Sequence, residues 1–175
     1  MRSTLLTGKS KGEIKGFTYE KVNVSAFDVI GFTEPRDEKN EELFGVLMET
    51  GKMDSLKEMN PIDKRLYRIS SWDKECSKNG YRITIGVEKN KNFLEMEEYK
   101  SELFTIHMNK SDYIMFDLGN NEPIKNYDNL LQVNYYNLID ELGYKLNPAV
   151  GLTIDIFQYA LDGEYFETWI PVILK

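Results

Sequence analysis

The sequence is poor in the residues that most often carry chemistry. It holds one cysteine, Cys76, and one histidine, His107. A single cysteine rules out an intramolecular disulfide. A nucleophilic pair of Cys76 and His107 gains little support from two residues so far apart in the chain. There is no CxxC, no HExxH and no histidine pair at helical spacing, so no metal site is expected. No GxGxxG or P-loop offers a cradle for a nucleotide, and no cofactor is expected. No stripe of lysine and arginine forms, and the formal net charge is −7. That balance argues against direct nucleic-acid binding, where neutralised phosphates supply most of the affinity. With no signal peptide and no long apolar run, the expectation is a cytoplasmic protein that does not enter membranes.

What the chain does have is apolar and aromatic mass. Of 175 residues, 41% are hydrophobic and 13% aromatic, with eleven tyrosines and nine phenylalanines. This excludes a disordered chain and exceeds what a minimal core needs, which leaves ordinary packing and an aromatic-lined cleft both open.

Residues 1–16 are polar and rich in Gly, Lys and Ser, and read as a flexible terminus. From Phe17, "FTYEKVNVSAFDVIGF" alternates like strand with an internal turn, ended by Pro35. Leu43, Val46, Leu47 and Thr50 then recur at helical spacing, with Gly51 either ending or interrupting the helix. Two strands follow, "LYRISSW" and "YRITIGVE", separated by the loop "DKECSKNG". The charged stretch 89–100 reads as a linker whose Phe93, Leu94 and Met96 are expected to pack. After it the order returns: strand, turn and strand over 102–119, a helix over 124–144, then "VGLTIDIFQYA" and "YFETWIPVILK". In that helix the predicted buried stripe is Leu131, Tyr135, Leu138, Ile139 and Leu142, with Asp128 as cap and Gly143 as stop.

The repeated order predicts an α+β fold of duplicated β-α-β-β modules, an antiparallel sheet with helices on one face and a cleft between the modules. Module one spans about 17–88 and module two about 101–175, within a single domain over 17–175.

The last two strands carry the chemistry. Thr153, Asp155, Phe157 and Tyr159 share one face of their strand, and Tyr165, Glu167 and Trp169 share one face of theirs. If the turn is the three residues Leu161-Asp162-Gly163, Phe157 opposes Glu167 and Asp155 opposes Trp169, placing both carboxylates among aromatics on one face. A two-residue turn would shift the register by one and separate them.

These segments resemble the GyrI-like, or AraC-type effector-binding, domains. "ETWIPVILK" is similar to that family's closing strand through Glu167, Trp169, Ile170, Pro171 and Val172, and "TIDIF" supplies an acid and an aromatic in Asp155 and Phe157. Tyr113, Phe116 and Gly119 match a further strand motif, and Tyr81 and Gly86 a mid-domain one. The chain departs from the pattern where Asp155 replaces a common glutamate, Phe157 replaces a tyrosine, and "YNLIDELGY" lacks a tryptophan.

Many such domains follow a helix-turn-helix region; the 16 residues before the first strand are too few for one, so a stand-alone member is expected. The resemblance implies a protein that captures lipophilic, aromatic or cationic small molecules in a cleft with a central carboxylate. Glu167, Trp169, Asp155, Phe157, Tyr113 and Trp72 are the implied ligand contacts. Two alternatives stay open: hydrolysis of cyclopropane-bearing toxins, with Glu167 as general base assisted by Tyr113, or a protein partner, as in gyrase inhibition.

Overall fold

A computed structural model describes residues 6–35, 43–72, 81–160 and 163–175. The loop holding Cys76 and the centre of the last hairpin turn, 161–162, lie outside the described residues, as do the residues just before the first helix.

The elements run β1 (Leu6–Ile14), β2 (Phe17–Val24), β3 (Phe27–Pro35), α1 (Leu43–Glu49), α2 (Lys52–Met59), β4 (Arg65–Trp72) and β5 (Tyr81–Glu88). They continue with a 3-10 turn at Glu97–Tyr99, β6 (Phe104–Met108), β7 (Ser111–Gly119), α3 (Pro123–Val133), α4 (Tyr135–Glu141), β8 (Tyr144–Leu146), β9 (Thr153–Ala160) and β10 (Gly163–Leu174). The ten strands form one sheet in the order β1-β2-β7-β10-β9-β4-β5-β3-β6, with β8 beside β10. Every pairing is antiparallel. Module one is the run β3-β5-β4 with α1 and α2, module two is β7-β10-β9 with α3 and α4, and β4 joins β9 at the seam. The fold is the expected α+β arrangement.

Connectivity forces the sheet to curl. β2 and β3 stand six strands apart, about 29 Å on a flat sheet at roughly 4.8 Å per strand. Only Ser25 and Ala26 link them, a reach of at most about 11 Å. The link from β6 to β7 through Asn109 and Lys110 imposes the same condition. The segment expected to be one strand with an internal turn is thus a crossing from one end of the sheet to the other. Inside the curl lies a core of Val22, Val24, Phe27, Val29, Tyr67, Ile69, Met108, Tyr113, Met115, Ile154, Ile156 and Trp169. Both ends of the sheet contribute to it, as closure requires. Gly31 and Gly86 oppose one another on β3 and β5, and a Cβ on Gly31 would lie 2.0 Å from the Ile85 carbonyl oxygen.

The other face carries the helices. Leu43, Leu47, Met53, Leu56 and Met59 cover Phe32, Leu66, Ile83, Ile85 and Val87. Leu130, Leu138 and Ile139 cover Ile114, Phe116, Leu118, Phe166, Ile170 and Val172. Gly51, at φ 76°, breaks the first helical stretch in two.

Several local expectations change. Leu6–Ile14 is strand β1, folded onto β2 through Lys15 and Gly16, both at positive φ as a tight hairpin turn needs. The polar composition of 1–16 concealed an edge strand, whose outer surface can be polar. The helix predicted over 124–144 is two helices, broken at Asn134 (φ 58°). The break rotates the buried stripe, so Leu130 is fully buried while Leu131 is exposed. Asp128 lies inside α3, which begins at Pro123, and does not cap it. Within 89–100, Phe93 and Met96 pack on the module-one core as expected, joined by Tyr99, while Leu94 is exposed.

Candidate functional site

The register of the last hairpin decides which side chains meet. Ala160 pairs with Gly163, so the connection is two residues, and Asp155 opposes Thr168 while Phe157 opposes Phe166. Glu167 opposes Ile156 and Trp169 opposes Ile154. The three-residue turn is therefore corrected, and with it the shared face. Asp155 and Phe157 point to the helix side, whereas Glu167 and Trp169 point into the curl. One residue of turn length separates the two carboxylates by the thickness of the sheet.

On the helix side, at the seam, a row of residues runs across the strands: Ile85 on β5, Arg68 on β4, Asp155 on β9, Thr168 on β10 and Phe116 on β7. Asp155 is 3% exposed. Its Oδ1 accepts from the Thr168 hydroxyl at 2.9 Å. Its Oδ2 accepts from Arg68 Nη1 at 3.2 Å and from the Tyr127 hydroxyl at 3.3 Å. Arg68 Nη1 also donates to the Tyr127 oxygen at 3.4 Å. Burial pushes the Asp155 carboxyl above the usual carboxylate range, opposed by the Arg68 charge and by the bonds from Thr168 and Tyr127. Burial and the neighbouring Asp155 raise the Tyr127 phenol to about 12, so it remains a donor at neutral pH.

Around this polar floor stands an arc of aromatic rings. Phe44 from α1 lies 6.2 Å from Phe157, Phe157 lies 4.3 Å from Phe166, and Phe166 lies 5.1 Å from Tyr127 of α3. Phe157 packs against the helix-side cores of both modules, so it marks the junction. With Ile124 and Asp128 these residues line a cleft of about 280 Å³. That is near the lower end of small-molecule sites, about 300–1,000 Å³. A larger depression of about 480 Å³ lies beside the β1–β2 turn, lined by Lys15, Thr18, Asn126, Asn129 and Gln132. It lacks the convergent aromatic walls and buried charge of the inter-module cleft.

The other sequence-predicted residues lie elsewhere. Glu167 is 5% exposed inside the curl, where it accepts the Trp169 indole N–H at 2.8 Å. The Tyr113 ring lies 5.6 Å from that of Trp169, tilted against it on the same inner face, and burial drives its phenol well above its ordinary value. Trp72 is 53% exposed at the end of β4, opposite Tyr81 and away from the cleft lining. The structure thus brings Asp155 and Phe157 together in the cleft and does not bring Glu167, Trp169, Tyr113 or Trp72 there.

Reasoning from sequence missed Arg68, Tyr127, Phe44 and Ile124, and took Phe166 as plain core. Arg68 carried a usable signal, a charge in the strand "LYRISSW" on the face opposite Tyr67 and Ile69. Among the described residues no cluster of His, Cys, Asp and Glu could hold a metal ion, and no helix is long and apolar enough to cross a membrane.

No family model matches the chain, and no curated protein matches it significantly in sequence. Solved structures do resemble it. SAV2435 bound to tetraphenylphosphonium superposes at a TM-score of 0.64 with 14% identity, covering 89% of this chain and 93% of that one. A protein from Staphylococcus aureus MU50 named for bacterial transcription regulation gives 0.59 with 14% identity, covering 88% and 97%. The C-terminal domain of EcmrR gives 0.52 with 10% identity, covering 91% and 99%. At these identities the likeness establishes a common fold.

Proposed function

We propose that this protein is a small-molecule-binding protein of the GyrI-like effector-binding type, holding lipophilic aromatic compounds in the cleft between its two modules. The observation that carries the reading is the arc Phe44–Phe157–Phe166–Tyr127 around the buried carboxylate of Asp155. Aromatic walls give a flat ligand most of its contact area, while a few placed polar groups fix its orientation. SAV2435, which shares this fold, is bound to a ligand rich in aromatic rings, tetraphenylphosphonium. Aromatic faces also attract cations, by about 0.5–2 kcal/mol each. Here, however, the carboxylate already carries a guanidinium partner. The reading therefore rests on lipophilic aromatic character more than on charge.

No observation favours the hydrolase alternative. Glu167 is bonded to Trp169 inside the curl, on the opposite side of the sheet from the cleft. The experiment is a fluorescence titration of the full chain with Nile red, an uncharged aromatic dye. Saturable binding is expected, weakened at least tenfold by Phe157→Ala. Unchanged affinity in Phe157→Ala and in Phe44→Ala would rule the cleft out.

A further inference from the structure

We propose that Arg68 sets the charge selectivity of the cleft, which takes uncharged aromatic compounds bearing a hydrogen-bond acceptor and holds bulky organic cations poorly. This rests on the cleft being the binding site, as argued above. Three observations lead to it.

First, the one buried charge in the cleft lining among the described residues, Asp155, is matched. The Asp155 carboxylate is 3.2 Å from Arg68 Nη1, and the bonds from Tyr127 and Thr168 occupy both of its oxygens. The remaining charged lining residue, Asp128, is exposed on α3, where water and salt screen it.

Second, a permanent cation that approaches the carboxylate meets a like charge already paired with it. It would have to displace a guanidinium held by charge-assisted hydrogen bonds. An organic cation without N–H groups cannot remake those bonds and would leave carboxylate lone pairs unsatisfied.

Third, Arg68 has donors to spare. Its side chain is 26% exposed, and only Nη1 is hydrogen-bonded among the described residues. Nε and Nη2 make no hydrogen bond among the described residues, on a side chain that lines the aromatic-walled cleft. A carbonyl or similar neutral acceptor can take them without disturbing Asp155. A full anion gains less, because Asp155 and Asp128 lie beside it.

The test compares two probes, Nile red and tetraphenylphosphonium, titrated into the full chain at pH 8. Wild type is expected to bind Nile red at least tenfold more tightly than tetraphenylphosphonium. Arg68→Gln is expected to weaken Nile red severalfold and to tighten tetraphenylphosphonium at least tenfold, as Asp155 loses its internal partner. Arg68→Lys, which keeps the charge, is expected to preserve the wild-type order. Circular dichroism reports whether each variant folds, and if Arg68→Gln does not, the wild-type order of the two probes decides alone. Wild type binding the cation as tightly as Nile red, or unchanged cation affinity in folded Arg68→Gln, overturns the selectivity proposal. If Phe157→Ala still removes dye binding in that case, the cleft reading stands. Dye binding indifferent to Phe157→Ala and Phe44→Ala overturns both.

Discussion

Arg68 and Asp155 face each other at 3.2 Å across the seam, and they occupy the same position in the two modules. Each opposes a hairpin partner, Ile85 for Arg68 and Thr168 for Asp155, and those partners in turn oppose Phe32 and Phe116. The order of pairings is thus the same on either side of the Arg68–Asp155 pair. A homodimer of one module would set two identical side chains against each other there. Two arginines or two aspartates would repel, whereas duplication lets one copy carry each sign.

Breaking that pair from one side should cost more than removing it whole. Asp155→Asn leaves a guanidinium without its counter-charge, and a loss of about 1–3 kcal/mol in urea unfolding is expected, moderated by the partial exposure of Arg68. The double variant Arg68→Met/Asp155→Asn should recover part of that loss. Additive losses in the double-mutant cycle would show that the two residues are not coupled.

Glu167 is expected to matter for stability and not for ligand binding. Glu167→Gln retains an acceptor for the Trp169 indole and should stay within about 1 kcal/mol of wild type. Glu167→Leu removes the carboxylate that accepts the Trp169 indole N–H and should lose about 1–3 kcal/mol. Nile red affinity should hold in Glu167→Gln. A tenfold loss of affinity in that variant, with the melting curve unchanged, would return the residue to the site.

Stability should also shift with pH through Glu88. Burial raises its carboxyl above the ordinary value, against the Tyr67 hydroxyl bond and the Arg65 charge, with Asp63 adding to the rise. A carboxyl raised on folding stabilises the native state below its unfolded pKa, about 4.3. That contribution is lost as pH climbs through the folded value. Glu88→Gln cannot ionise, so its melting temperature relative to wild type should rise between pH 4 and pH 8. A difference that stays flat or falls across that range would contradict the direction.

The apposed glycines tolerate little. In Gly31→Ala the new methyl must displace the Ile85 backbone, which lies at 2.0 Å, and a destabilisation of about 3 kcal/mol or failure to fold is expected. Thermal unfolding of the variant decides it. A change within about 0.5 kcal/mol would mean that β3 and β5 separate freely at this point.

The repeat of elements was readable because strands and helices alternate in the same order twice, with hydrophobic periods of two and then near four. The site was half readable. An acid in an apolar strand is costly wherever it lies, so Asp155 and Glu167 both drew notice. Which face each occupies depends on whether the connection takes two residues or three, and the composition of "LDGE" suits either. Arg68 and Tyr127 were invisible as partners because 87 and 28 residues separate them from Asp155. β1 was hidden for another reason. An edge strand needs one apolar face at most, and "LTGKSKGEI" shows little alternation to betray it.

The two short links at Ser25–Ala26 and Asn109–Lys110 have a consequence for how the halves hold together. Each module lends its leading strand to the other: β2 lies against β7, and β6 lies against β3. Neither half is therefore a separable unit, because excising one strips a flanking strand from both. Cleavage between Lys89 and Lys100 should release no fragment under native conditions, since the pieces remain clasped. The molecule should lose its structure in a single step, as a knot does when either cord is drawn out.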